Sequence, residues 1–304
     1  PLDLELPALA EPPKRLVDEL EAEGVNLGDA GGDPATLAYK PRRRAVLRLG
    51  QHVLKIYAAE HDFVAAITGL QVGGSLRGVR TAALEGALPA RLVTVQSLVA
   101  GSPPVRPAAV AGGAGELLRE LQTSSAPVDG STRPLSGLSA AQASVSAASP
   151  SQQLAVAAVA ARYVAAILPP LGGRLEALLR AFEATMPSID RLVLSHGDFS
   201  ARQILVTPDG LAVVDFDAMR LAPGALDPAT YAAHLVFGGP DDLDEASVVL
   251  DELLEGYGGR PSGLSWYLAT SILRHSRRPF RYLEEHWPER VEGMVTAAEA
   301  ALDR

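Results

Sequence analysis

Cysteine is absent from all 304 residues, which excludes disulfides, thiolate nucleophiles, zinc–thiolate sites and iron–sulfur clusters. Long apolar runs are missing too. The alanine-rich stretch from Leu154 to Leu168 is interrupted by Arg162 and falls short of the roughly 18 apolar residues a bilayer span needs. The N-terminal Pro-Leu-Asp-Leu-Glu-Leu lacks a basic segment followed by an apolar core, so no signal peptide is expected and a cytoplasmic location is. Basic charge is in short supply: 27 Lys+Arg stand against 36 Asp+Glu, a formal charge of −9. That balance argues against non-specific nucleic-acid binding, which depends on neutralising phosphates. What remains is an ordinary globular composition, 47% hydrophobic and 21% charged, with ample length for a buried core.

The pattern predicts a helix around Pro13 to Glu23, then strands over Thr36–Lys40, Ala45–Leu49 and His52–Tyr57 joined as an antiparallel meander. A helix is expected over Glu60–Leu70, and further strands over Val79–Leu84 and Arg91–Val99. The Gly/Pro cluster at residues 100–104 marks the best internal boundary. It divides an N-terminal nucleotide-binding part, residues 1–100, from a mostly helical part, residues 101–304. Within the latter, Thr123–Gln153 reads as a long, partly mobile Ser/Ala/Pro/Gly-rich loop. Helices are expected at Ala109–Leu121, Gln152–Leu168, Leu171–Ala184, Pro228–Phe237, Leu243–Tyr257 and Leu264–Ser276. One hairpin, Ile204–Thr207 with Leu211–Phe216, turns at Pro208-Asp209-Gly210.

The residues with chemistry lie around that hairpin. Ser195-His196-Gly197-Asp198 follows the apolar run Leu192–Leu194, and Asp215-Phe216-Asp217 ends the second strand. One carboxylate can take a proton from a hydroxyl while another holds a divalent cation, the division of labour that phosphoryl transfer requires. Magnesium takes hard oxygen ligands, usually one or two carboxylates with phosphates and water. A hydrolase triad is disfavoured, because no Gly-x-Ser-x-Gly elbow exists.

This segment resembles the catalytic and metal-binding loops of the aminoglycoside phosphotransferase and choline kinase-like families, relatives of protein kinases. The resemblance implies a bilobal, protein-kinase-like α+β fold, with a small β-rich N-terminal lobe and a larger helical C-terminal lobe. It assigns Asp198 as catalytic base, His196 as the loop-ordering residue and Asp215 as a metal ligand. Gln203, which the resemblance makes a metal ligand alongside Asp215, stands where the family has Asn, one methylene longer (roughly 1.5 Å of extra reach) but with the same amide oxygen. Asp217 is read either as a second metal contact or as a hairpin-end hydrogen-bonding group.

The front half agrees. Val53-Leu54-Lys55-Ile56-Tyr57 looks like the kinase strand whose Lys reaches the α- and β-phosphates, with Glu60 as first choice for its helix carboxylate and Asp62 second. Residues 41 to 58 carry five cations (Arg42, Arg43, Arg44, Arg48, Lys55) and no acid. Arg43 in the first turn is therefore a candidate phosphate contact, with solvated surface charge as the rival reading. Val93 to Gly101 resembles the hinge strand, where Gln96, Ser97 and Leu98 would meet adenine. The expected activity is transfer of phosphate from ATP, with Mg2+, to a hydroxyl of a small molecule such as an aminoglycoside, an amino sugar or a similar metabolite. The alternative is a non-catalytic nucleotide-binding protein. Charge does not choose the acceptor. Seven acids and no base lie between Gly239 and Gly259, and Arg274, Arg277, Arg278 and Arg281 cluster around His275 and Tyr282.

Overall fold

The computed structural model describes residues 6–9, 13–27, 34–124 and 145–304. Its first elements are α1 (Pro13–Ala22), β1 (Ala35–Lys40), β2 (Arg44–Leu49), β3 (His52–Tyr57), α2 (Glu60–Ser75), β4 (Arg80–Thr81), β5 (Leu84–Leu88) and β6 (Val93–Ser97). Then come α3 (Ala111–Thr123), α4 (Pro150–Ile167), α5 (Gly172–Ala184), β7 (Leu192–Ser195), β8 (Ile204–Thr207), β9 (Gly210–Val213) and β10 (Arg220–Pro223). The chain closes with α6 (Leu226–Ala233), α7 (Pro240–Tyr257), α8 (Leu264–His275), α9 (Arg278–Arg281) and α10 (Trp287–Leu302). The mixed α+β class expected from the sequence is what forms, an antiparallel sheet early and helices late. Some details differ. Within the expected strand Val79–Leu84 only Arg80–Thr81 forms β4, β5 starts at Leu84 and runs on to Leu88, and β10, α9 and α10 have no counterpart in the expected pattern. Residues 125–144 of the expected Thr123–Gln153 loop lie outside the described residues. The described end of that stretch is already helical, because Ser149 caps α4 reciprocally with Gln152 and Pro150 opens its first turn.

The chain separates into two compact units. The first takes the residues up to Ser102 together with Leu205–Met219. Its sheet runs β1-β2-β3-β6-β5, and its alternation sorts side chains cleanly onto two faces. Ala45, Leu49, Leu54, Ile56, Val93 and Val95 share one buried cluster with Leu16 and Leu20 of α1, each Leu or Ile contributing roughly 2 kcal/mol. Register puts Arg44 opposite Tyr57 and Lys55 opposite Thr94, so these four occupy the other face. A smaller sheet, β4-β9-β8, carries the Asp215–Asp217 segment at the end of β9.

The second unit comprises Pro103–Ser124, Ser146–Ile204 and Arg220–Arg304. Its helices pack closely at small residues. A Cβ on Gly115 of α3 would meet the Leu253 carbonyl oxygen of α7 at 1.9 Å, so the two backbones touch only because that side chain is absent. Antiparallel β7 and β10 pair Ser195 with Arg220 and present the loop that follows β7. Among the described residues, no helix is long and apolar enough to cross a membrane.

Candidate active site

In the first unit, two carboxylates and two cations converge. Lys55, only 5% exposed, donates from Nζ to Asp215 Oδ1 at 2.5 Å and to Asp217 Oδ1 at 2.8 Å. The Arg44 guanidinium donates to both Asp215 oxygens, at 3.1 and 3.3 Å, and to Asp217 Oδ2. Tyr57 adds its hydroxyl to the same Asp217 oxygen at 3.2 Å. Burial works to raise the Asp215 carboxyl, yet Lys55 and Arg44 outweigh it and hold it far below the usual carboxylate range. Conversely, burial works against the Arg44 charge, and the two aspartates overcome it and raise its pKa. Asp215 sits at φ +69°, a left-handed conformation uncommon outside glycine, so the segment holds a costly geometry where the charges meet.

The second unit supplies the loop after β7. Gly197 takes φ +80°, which a side chain would resist, and turns Asp198 outward from the strand end. Asp227, fully buried at the start of α6, anchors the loop by accepting the N–H of His196 at 2.8 Å and of Gly197 at 2.9 Å. Burial raises the Asp227 carboxyl even so. His196 packs edge-on against Phe199, their centroids 5.7 Å apart. Around Asp198 itself, His234 Nε2 lies 3.6 Å and Arg274 Nη2 4.0 Å from Oδ1. Burial pushes the Asp198 carboxyl up, but His234, Arg274 and His196 prevail and leave it below its ordinary value. Its carboxylate is therefore ionised at neutral pH and able to accept a proton.

Of the residues singled out in the sequence, Lys55, Asp215 and Asp217 come together in the first unit, and His196 and Asp198 in the second. Gln203 also belongs to the second unit, half-buried in the turn after Asp198 with its N–H on Ser200 O at 2.9 Å. Glu60 does not partner Lys55. It is exposed at the first residue of α2, and the Lys55 ammonium is already bonded to Asp215 and Asp217; Asp62 pairs with His61 at 3.4 Å. Arg43 remains in the exposed β1–β2 turn, while its neighbour Arg44 reaches the carboxylates. At the expected hinge, the N–H of Ser97 bonds Ala83 O at 2.9 Å and that of Leu98 bonds Gln51 O at 2.7 Å. Those two donors are thus engaged by the chain itself, and the buried Gln96 amide bonds Thr94 Oγ1 at 3.3 Å. Sequence reasoning missed Asp227, whose only signal was an acid set in the apolar run Ala225–Ala233. It also missed Arg44 as a distinct member of the arginine turn, although strand alternation from Lys55 and Tyr57 would have found it.

Residues 35–267 match the family model described as the phosphotransferase enzyme family, a span that contains both carboxylate sites. The chain belongs to that family. This phosphotransferase matches no curated protein sequence significantly, but solved structures share its fold across nearly the whole length. A choline/ethanolamine kinase family protein from Mesorhizobium loti is 16% identical over 93% of this chain and 94% of its own, with a TM-score of 0.60. Macrolide 2'-phosphotransferase from Brachybacterium faecium is 22% identical over 95% and 98%, TM-score 0.57. Aminoglycoside 2'-phosphotransferase-IIIa, solved with GDP, is 14% identical over 88% and 93%, TM-score 0.60. At these identities the likeness establishes the fold of the phosphotransferase.

Proposed function

We propose that this phosphotransferase moves the γ-phosphate of ATP, in the presence of magnesium, to a hydroxyl of a small molecule. The observation that carries the reading is Asp198: an ionised carboxylate at the tip of a loop whose backbone is held by a buried Asp227. Such a group orients a hydroxyl and takes its proton as the phosphoryl group arrives. The first unit serves as the nucleotide-binding part and the second as the acceptor-binding part.

The donor set of the first unit fits a hard divalent cation. Asp215 and Asp217 both reach a single ammonium group, so their oxygens are close enough to share one ion, and oxygen is what magnesium requires. Asp215 and Asp217 would hold it. Magnesium, when bound, supplies positive charge to the β- and γ-phosphates. Lys55 and Arg44 neutralise phosphate oxygens in the same region, Arg44 with the planar fork that suits them. His196 fills the space beside Phe199 and keeps the Asp198 loop in place. Aminoglycoside and macrolide 2'-phosphotransferases share the fold, which supports a small, hydroxylated acceptor. A nucleotide-dependent enzyme of this kind suits a cytoplasmic location.

Turnover of ATP measured against a panel of hydroxylated small molecules, with and without magnesium, tests the reading. Acceptor-dependent ADP release that needs the metal supports it. ADP release from no member of the panel, despite tight nucleotide binding, would sink it.

A further inference from the structure

Acids of α7 meet local partners. Asp242 accepts the N–H groups of Phe237 and Gly238 at 2.9 and 2.6 Å, and Asp251 pairs with Arg260 at 3.1 Å. The basic block behaves otherwise, because two of its arginines stand around Asp198. Arg274 Nη2 lies 4.0 Å from Asp198 Oδ1, and Arg278 reaches the same carboxylate through His234. All four residues belong to the second unit. His234 directly follows α6, and its side chain is only 11% exposed. One ring nitrogen meets the Arg278 guanidinium and the other faces Asp198.

That arrangement fixes where the ring carries its proton. Arg278 donates to His234 Nδ1 from Nη1 at 3.3 Å and from Nη2 at 3.5 Å. A guanidinium has donors and no acceptor, so Nδ1 must present its lone pair. A neutral ring then holds its single proton on Nε2, the nitrogen 3.6 Å from Asp198 Oδ1. Burial, with Arg278 and Arg274, outweighs the pull of Asp198 and keeps the His234 pKa below its ordinary value. At neutral pH the ring is therefore uncharged. His275 backs it edge-on, with 4.5 Å between centroids, and burial leaves His275 neutral as well. The Nε2–H group stands just beyond hydrogen-bond length from Oδ1, and contacts of this kind tighten when a substrate binds.

We infer that His234, held by Arg278 in its Nε2–H form, is a positioning residue that orients the Asp198 carboxylate. The inference rests on Asp198 being the acceptor base, and it goes further by naming what aims that base. His234 and Arg274 both address Oδ1, which assigns the other oxygen, Oδ2, to the incoming hydroxyl. As the acceptor oxygen bonds to phosphorus and the bond to ADP breaks, the hydroxyl proton passes to Oδ2. His234 takes it no further. Its Nδ1 is bonded to a group that only donates and its Nε2 is already protonated, so the ring has no lone pair to offer. The proton therefore leaves Asp198 to solvent. A donor on the ionised form also favours that form. Besides His234, Arg274 and His196 hold Asp198 ionised, and Arg220 and Arg278 feel its charge in turn. These stay in place when His234 alone is replaced.

Nitrogen-15 NMR of the histidine rings in the full chain reads the tautomer with no acceptor present, and the His234→Gln spectrum assigns the signals. Wild-type His234 should show the neutral Nε2–H pattern at neutral pH, and Arg278→Met should weaken it. A carbon-13 titration of the Asp198 carboxyl is the second measurement. His234→Phe keeps a ring against His275 but has no donor, so it should raise the Asp198 pKa by about one pH unit. His234→Gln retains an N–H donor and should recover most of the wild-type value. A ring present for packing alone would give no shift in the Phe variant. ADP release from MgATP, with water as the attacking group, is read over the same pH range. In His234→Phe, kcat should fall about tenfold or more and its acidic limb should move up with Asp198, while KM for MgATP stays put. A wild-type ring protonated on Nδ1, or one Asp198 pKa shared by wild type and His234→Phe, overturns the inference. The expected Asp198 shift with no ADP release even from wild type would leave the His234–Asp198 pair standing and count against phosphotransfer alone.

Discussion

Gly69 in α2 lies against the backbone of Phe216: a Cβ added there would meet the Phe216 carbonyl oxygen at 2.1 Å. Phe216 is fully buried and stands between Asp215 and Asp217, so the helix sets the position of both carboxylates through a contact only glycine permits. Gly69→Ala should cost about 1–3 kcal/mol by overpacking and weaken magnesium-dependent nucleotide binding without touching a ligand. Gly74→Ala, in the same helix but with nothing within 4 Å, should stabilise by about 0.5–1 kcal/mol. Urea denaturation and calorimetry on the two variants check the pair; equal effects would refute the argument.

Asp198→Asn removes the proton acceptor and keeps the shape. It should lower kcat by about 10² or more with nucleotide affinity nearly unchanged. Steady-state kinetics and a nucleotide titration read the two quantities, and wild-type turnover would remove Asp198 from its role.

Arg44 and Lys55 divide two carboxylates between them. Arg44→Ala leaves Lys55 alone with Asp215 and Asp217 and should destabilise by about 2 kcal/mol, less than for a fully buried pair because these groups are partly solvated. Added magnesium should recover part of that loss, because it supplies the missing charge. Asp215→Ala should abolish magnesium-dependent nucleotide binding. Chemical denaturation with and without the metal separates these outcomes, and a magnesium effect identical in wild type and Asp215→Ala would show the carboxylate is no ligand.

His275 is buried between His234, whose ring centroid is 4.5 Å away, and the charges of Arg274 and Arg278. Burial first, then His234 and these cations, push its pKa well below the ordinary histidine value of about 6.5. The unfolded chain therefore binds a proton over a pH range in which the folded chain does not. Stability should be full above about pH 7 and fall as the pH drops through 6.5 toward the depressed value. His275→Gln, which has nothing to titrate, should flatten that slope whatever its own cost. Denaturation midpoints at a series of pH values between those of neutral and mildly acidic buffers would show it.

What the sequence determined by itself is local. Period-two alternation placed β1 to β3 within a residue or so, and His-Gly-Asp followed by a hairpin singled out Asp198 and Asp215 as candidates, because those motifs lie within Ser195–Asp217. The tertiary structure decided the partners. Arg44 is one of five nearby cations, and what selects it is an ion pair to Asp215 across 171 residues. Asp227 holds the Asp198 loop from 31 residues away, and Arg274 reaches Asp198 from another helix. Alternation tells which side chains share a face of a strand, but which charge lies opposite is fixed by how helices and sheets pack. The same limit explains the two charge blocks: both are plain in the sequence, and only packing sets the arginines, not the acids, beside the base.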